Sequence, residues 1–192
     1  MRMQQTRRDF LRRSAHGGAA LAVLAGAACA TRPASFAPKS SASALRTVNR
    51  SEAGTLAVLG EALLPGSVAA GLVSYIDCQI SGPPQDSMLM AKYLGVNAPF
   101  VDFYRSGLAA AEAAAVREFG SPVTSLSALE ARTLIGHMAT GGVPHWQGPP
   151  SGLFYFVLRS DAVDVTYGTI AGFDRLGVPY MAHITPPTRW GE

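Results

Sequence analysis

The sequence predicts a mainly α protein, an irregular helical bundle followed by a long Gly/Pro-rich extended tail. Three observations carry this. Apolar residues recur at helical spacing through most of the chain after residue 50. Pro-Gly, Gly-Pro-Pro and Gly-Gly groups punctuate those runs at helix-length intervals. A serine and a glutamate three positions later form a capping box at Ser127-Ala128-Leu129-Glu130. A length of 192 residues suits one core. The expected organisation is a leader over 1–30, a Ser/Ala/Pro-rich linker over 31–50 and a helical domain over 51–192.

The leader comes first. Thr6-Arg7-Arg8-Asp9-Phe10-Leu11-Arg12 resembles the twin-arginine export consensus, with Arg7, Arg8, Phe10 and Leu11 as its signal residues. Behind it, Gly17 to Ala28 is apolar but shorter than the roughly 20 residues that span a bilayer. Ala28-Cys29-Ala30 fits the small-x-small cleavage rule at Ala28 and Ala30. The alternative, lipidation at Cys29, is disfavoured because Gly26 stands where a lipoprotein signal has leucine. The expected location is therefore the periplasm or the periplasmic face of the inner membrane.

The charge follows the leader. The net charge is +3, yet Arg2, Arg7, Arg8, Arg12 and Arg13 face only Asp9 within the first thirty residues, so the rest is near neutral. The basicity is no sign of nucleic-acid binding. Charged residues make up 15% of the chain, below the roughly 25% of an average domain, which predicts a sparsely charged surface and either a generous core or a surface shared with a partner.

Along the domain, Leu56, Leu59 and Leu63 predict a first helix from Ser51, stopped by Pro65-Gly66. Leu72 or Val73, Ile76 and Ile80 predict a second, ended by Gly82-Pro83-Pro84, and Ser87 to Leu94 reads as a short third. The clearest helix starts at Asn97-Ala98-Pro99 and runs to Gly120, with Phe100, Phe103, Tyr104, Leu108, Ala111, Ala115 and Phe119 on one stripe. Its alanine-rich middle allows close approach of another helix or chain.

The capping box opens the next helix, with Leu134, Ile135 and Met138 inward and Gly141-Gly142 closing it before a rigid loop over Pro144–Pro150. Leu153-Phe154-Tyr155-Phe156-Val157-Leu158 fits a buried strand or a buried helix, and helix is favoured. From Tyr167 on, Gly168, Gly172, Gly177, Pro179, Pro186 and Pro187 predict an aperiodic extended tail. Its Phe173, Tyr180, Met181, Ile184 and Trp190 need a surface to lie against, either the chain's own domain or another subunit, and form the candidate partner interface.

No nucleotide-binding glycine motif, phosphate loop, Cys-x-x-Cys, haem-attachment, zincin or nucleophile-elbow motif occurs. Beyond the leader Cys78 is the one cysteine; it reads as a small buried hydrophobe, or alternatively as an intersubunit disulfide partner. His137, His145 and His183 lack the short spacings of a metal site, so structural or surface roles are favoured. Asp161 and Asp164, three apart, read as solvated carboxylates or an end cap rather than an acid/base pair. No catalytic, cofactor or metal residue is assigned to this chain.

Four segments together resemble the gluconate 2-dehydrogenase subunit 3 family. They are Leu63-Leu64-Pro65-Gly66, Gly71 to Asp77, Phe103 to Leu108 with its alanine-rich continuation to Phe119-Gly120, and Leu126 to Glu130. The resemblance spans Ser51 to Trp190 and includes the leader. It implies a noncatalytic small subunit beside a large FAD-dependent flavoprotein of the glucose-methanol-choline type, with a multihaem cytochrome c as a further partner. FAD is then expected in the large subunit and haem c in the cytochrome.

The implied role is to bind and stabilise the flavoprotein and to carry it, already folded, through the twin-arginine translocase. Many members end in a Gly/Tyr/Trp-rich stretch, whereas this chain ends in Gly177 to Trp190, so gluconate, another sugar or a polyol all remain open as the substrate. Two other readings stand beside this one: a stand-alone helical envelope protein, and a metal-dependent enzyme built on His137 and His145.

Overall fold

The computed structural model describes residues 45–179 and 188–190. Compact units divide the chain at 1–34 and 35–192, and the first falls wholly outside the described residues. So do Arg7, Arg8, Phe10, Leu11, Ala28, Cys29, Ala30, Tyr180, Met181, His183 and Ile184, to which the sequence assigns signal, cleavage, surface or interface roles.

The described residues form seven α-helices and no strand: α1 Arg50–Leu63, α2 Leu72–Ser81, α3 Met90–Tyr93, α4 Phe100–Phe119, α5 Ala128–Ala139, α6 Ser151–Tyr167 and α7 Ile170–Leu176. One-turn 3-10 segments at Pro84–Asp86 and Val123–Ser125 join them. The mainly α class read from the sequence holds.

α1 starts on a capping box. Asn49 Oδ1 accepts the Glu52 N–H and Glu52 Oε2 accepts the Asn49 N–H, both at 2.9 Å, so two orphan donors of the first turn are satisfied reciprocally. Leu56 and Leu59 are completely buried on its inner face. Gly60 lets α2 come close, since a Cβ there would fall 2.4 Å from Leu72 Cδ2.

α4 follows its predicted stripe: Phe100, Phe103, Tyr104, Leu108, Ala111 and Ala115 are buried, and Gly120 ends the helix in the left-handed region at φ 69°. α5 opens on the predicted box, Ser127 N donating to Glu130 Oε2 at 2.7 Å and Glu130 N to Ser127 Oγ at 3.3 Å.

α6 is the axis of the bundle and touches each of the other six helices. Phe154, Val157, Leu158, Ala162 and Val165 have no exposure. Their spacing of three and four resolves the strand-or-helix alternative in favour of helix.

The tail differs from expectation at Ile170–Leu176, which is helical rather than extended. Thr169 Oγ1 accepts the Gly172 N–H at 3.1 Å as an N-cap, and Gly177 closes the helix at φ 63°. Gly172 is not a breaker here. Any Cβ at that position would fall 2.4 Å from the Thr166 carbonyl oxygen, so the glycine is what allows α7 to fold back on the end of α6.

Candidate partner interface and the buried polar ties

Two carboxylates lie inside the bundle. Asp77, on the inner side of α2, accepts three successive backbone N–H groups, from Arg46 and Thr47 at 2.8 Å and from Val48 at 2.7 Å. Thr47 Oγ1 lies 2.7 Å from Ser81 Oγ, and Arg105 Nη2 donates to the Thr47 carbonyl at 2.8 Å. The stem entering the domain is thus fastened to α2 and α4.

Asp161 is fully enclosed on α6, which corrects the expectation of a solvated carboxylate. Its Oδ1 accepts the Met90 N–H at 2.9 Å and its Oδ2 accepts the Tyr104 hydroxyl. Burial pushes the Asp161 carboxyl up to about 6, against the pull of those two hydrogen bonds. Burial, and then the Asp161 charge, raise Tyr75 and Tyr104 above the usual phenol range. Asp164 stays at the surface, its carboxyl raised by desolvation.

Asp161 sits in phase with the apolar stripe of its helix, continuing Phe154, Val157 and Leu158, whereas Asp77 lies about 100° around from Ile76, at the edge of its helix's buried face. The phase of Asp161 was the sequence signal for its burial, overridden by the usual preference of aspartate for water.

Cys78 is exposed, not a buried hydrophobe: it lies about 200° around the helix from buried Ile76. His137 pairs with Glu118 at 3.0 Å on the surface. His145 occupies a turn at φ 53° in the Pro144–Pro150 loop. Among the described residues, no group of three His, Cys, Asp or Glu side chains is placed to hold a metal. No helix among them is long and apolar enough to cross a membrane.

The surface offers apolar ground in two places. On α4, Ala109, Ala113 and Val116 face outward over an open depression of about 640 Å³ edged by Glu112 and Arg117. Arg117 also borders a second depression, of about 320 Å³, with His137, Val143 and Pro144. At the other place, α7 and the residues after it expose Ile170, Leu176 and Val178, while Phe173 is half-buried.

Trp190, grouped with the partner-contact residues by sequence, lies on its own domain. Its ring meets Tyr75 edge-to-face at 5.4 Å, and its backbone N–H donates to the Ala70 carbonyl at 3.2 Å. Gly71, at φ 103°, makes room: a Cβ there would fall 2.4 Å from the Trp190 carbonyl oxygen. Of the five tail residues, Phe173 and Trp190 are thus located, and only the neighbourhood of Phe173 presents exposed apolar side chains.

Comparison with known proteins gives one match. The family model described as gluconate 2-dehydrogenase subunit 3 covers residues 50–181. No curated protein and no solved structure matches.

Proposed function

The chain belongs to the gluconate 2-dehydrogenase subunit 3 family, and from that premise we propose that it is the noncatalytic accessory subunit of a periplasmic FAD-dependent sugar, sugar-acid or polyol dehydrogenase. The family match over residues 50–181 carries the reading. It runs from the first residue of α1 past the end of α7, so it includes all seven helices. A family named as a subunit implies partner subunits, and the finer assignments rest on this premise together with the sequence.

The partner is a large flavoprotein of the glucose-methanol-choline type, which holds FAD and performs the oxidation; a multihaem cytochrome c accepts the electrons. This chain binds and stabilises the flavoprotein. Its twin-arginine leader serves that partner too, because the twin-arginine route carries folded cargo and a flavin is loaded during cytoplasmic folding. The exposed Ile170, Leu176 and Val178 beside Phe173 support a contact surface at α7. Tyr180, Met181 and Ile184 extend the same apolar stretch in sequence.

The test is to express the flavoprotein with and without this chain and assay dye-linked dehydrogenase activity in the periplasm. Exported activity should fall to background without it. Undiminished exported activity in the deletion would remove the proposal.

A further inference from the structure

Asp161 is buried without an ionic partner. It has no exposure, and neither ion pair among the described residues includes it. Its two oxygens are divided between two elements, Oδ1 taking the N–H of Met90 on α3 and Oδ2 the hydroxyl of Tyr104 on α4. α3 is only four residues long, and its N-cap residue, Leu89, has no side-chain acceptor for the orphan donors of the first turn. Asp161 supplies that cap from another helix.

The segment so held has other ties as well, through its core side chains and its polar groups. Leu89 and Ala91 insert into the core, Met88 N donates to Gln79 Oε1 at 2.7 Å, and Lys92 Nζ donates to the Ser87 carbonyl at 3.1 Å. Outward it displays Met88, Tyr93 and Leu94, three large apolar side chains within seven residues.

The geometry points to Asp161 as a proton-operated latch on residues 88–94, firm when the carboxyl is protonated and opening more often when it is ionised. The groups bearing on it are Tyr104 from α4, Tyr75 from α2 and Asp164 from α6 itself, while Tyr93 from α3 bears on Tyr75. All of these are neutral or anionic, so none offsets the carboxylate charge. When protonated, Asp161 still accepts from Met90 through Oδ1 and from the Tyr104 hydroxyl through Oδ2.

Opening the segment lets water reach the carboxylate and returns it toward its ordinary value of 3.8, whereas closure holds it at about 6. Ionisation therefore favours the open form. Between pH 5 and 7.5 the opening equilibrium rises about tenfold by proton linkage.

Hydrogen exchange of the full-length chain, corrected for intrinsic rate, reads this directly on peptides covering residues 88–94. The expected result is about a tenfold loss of protection from pH 5 to 7.5. The pH dependence should vanish in Asp161→Asn, whose amide accepts from Met90 and donates to Tyr104 without titrating. A flat wild-type profile, or an unchanged slope in Asp161→Asn, overturns the latch. If that variant does not fold, Tyr104→Phe decides: losing the hydroxyl that favours the ionised form should move the midpoint to higher pH, and an unmoved or lowered midpoint overturns the latch.

Discussion

Gly107 and Phe154 compete for one volume: a Cβ on Gly107 of α4 would fall 2.3 Å from Cε2 of the Phe154 ring on α6. The ring has nowhere to retreat. It is completely buried, with Phe103 at 5.8 Å and Trp146 at 6.3 Å between centroids. Gly107→Ala is expected to cost about 1–3 kcal/mol through overpacking. Chemical denaturation measures it. Pairing the change with Phe154→Leu should recover part of the loss, because the smaller side chain vacates the contested space.

Asp77→Ala leaves the N–H groups of Arg46, Thr47 and Val48 without their carboxylate. Because the stem lies at the edge of the domain, freed donors reach water on opening, so the loss appears as detachment. A cost of about 2–3 kcal/mol is expected, in the range of a few lost charge-assisted bonds. Limited proteolysis should then cut near residues 45–49 while the helices stay protected. Asp77→Asn, which keeps one acceptor oxygen, should fall between the two.

Asp161 gives the fold a pH dependence of definite sign. Its folded value of about 6 is above the unfolded value of 3.8, so its stabilising contribution is full below 3.8 and is lost as pH rises through 6. The difference spans about 3 kcal/mol at most, from the free energy of one pKa unit. Melts of wild type and Asp161→Asn from pH 4 to 8 check it. The variant should gain on the wild type from pH 4 to a little above 6 and hold that gain from there to pH 8.

These cases show what the sequence carries and what it conceals. The caps and stripes of α4 and α5 are local, and residues such as Ser127, Glu130 and Gly120 signal them without tertiary context. Gly172 reads as a breaker because the contact that requires it, with the Thr166 carbonyl, is made only when α7 folds back. Asp161 reads as a solvated group because its stabilising donors, the Met90 N–H and the Tyr104 hydroxyl, come from distant segments. Helical phase would have placed Asp161 inside and Cys78 outside; average residue preference pointed the other way in both cases.

The partner surface is the part that one chain cannot display, and the exposed apolar residues on and just after α7 give it a test. Leu176 and Val178 are both just over half exposed, at 54% and 51%, so replacing them with serine removes little buried area within this domain. Leu176→Ser with Val178→Ser is expected to leave the isolated subunit's stability within about 0.5 kcal/mol of wild type, as for other surface substitutions. If the surface seats the flavoprotein, the same pair removes desolvated anchors from the interface, and co-purification of the flavoprotein should fall at least about tenfold, the equivalent of 1.4 kcal/mol. Val116→Ser on the outward face of α4 serves as the comparison, since it too is exposed but lies on another helix. Loss of co-purification with Val116→Ser alone would move the interface to α4, where Ala109 and Ala113 let a partner helix come close.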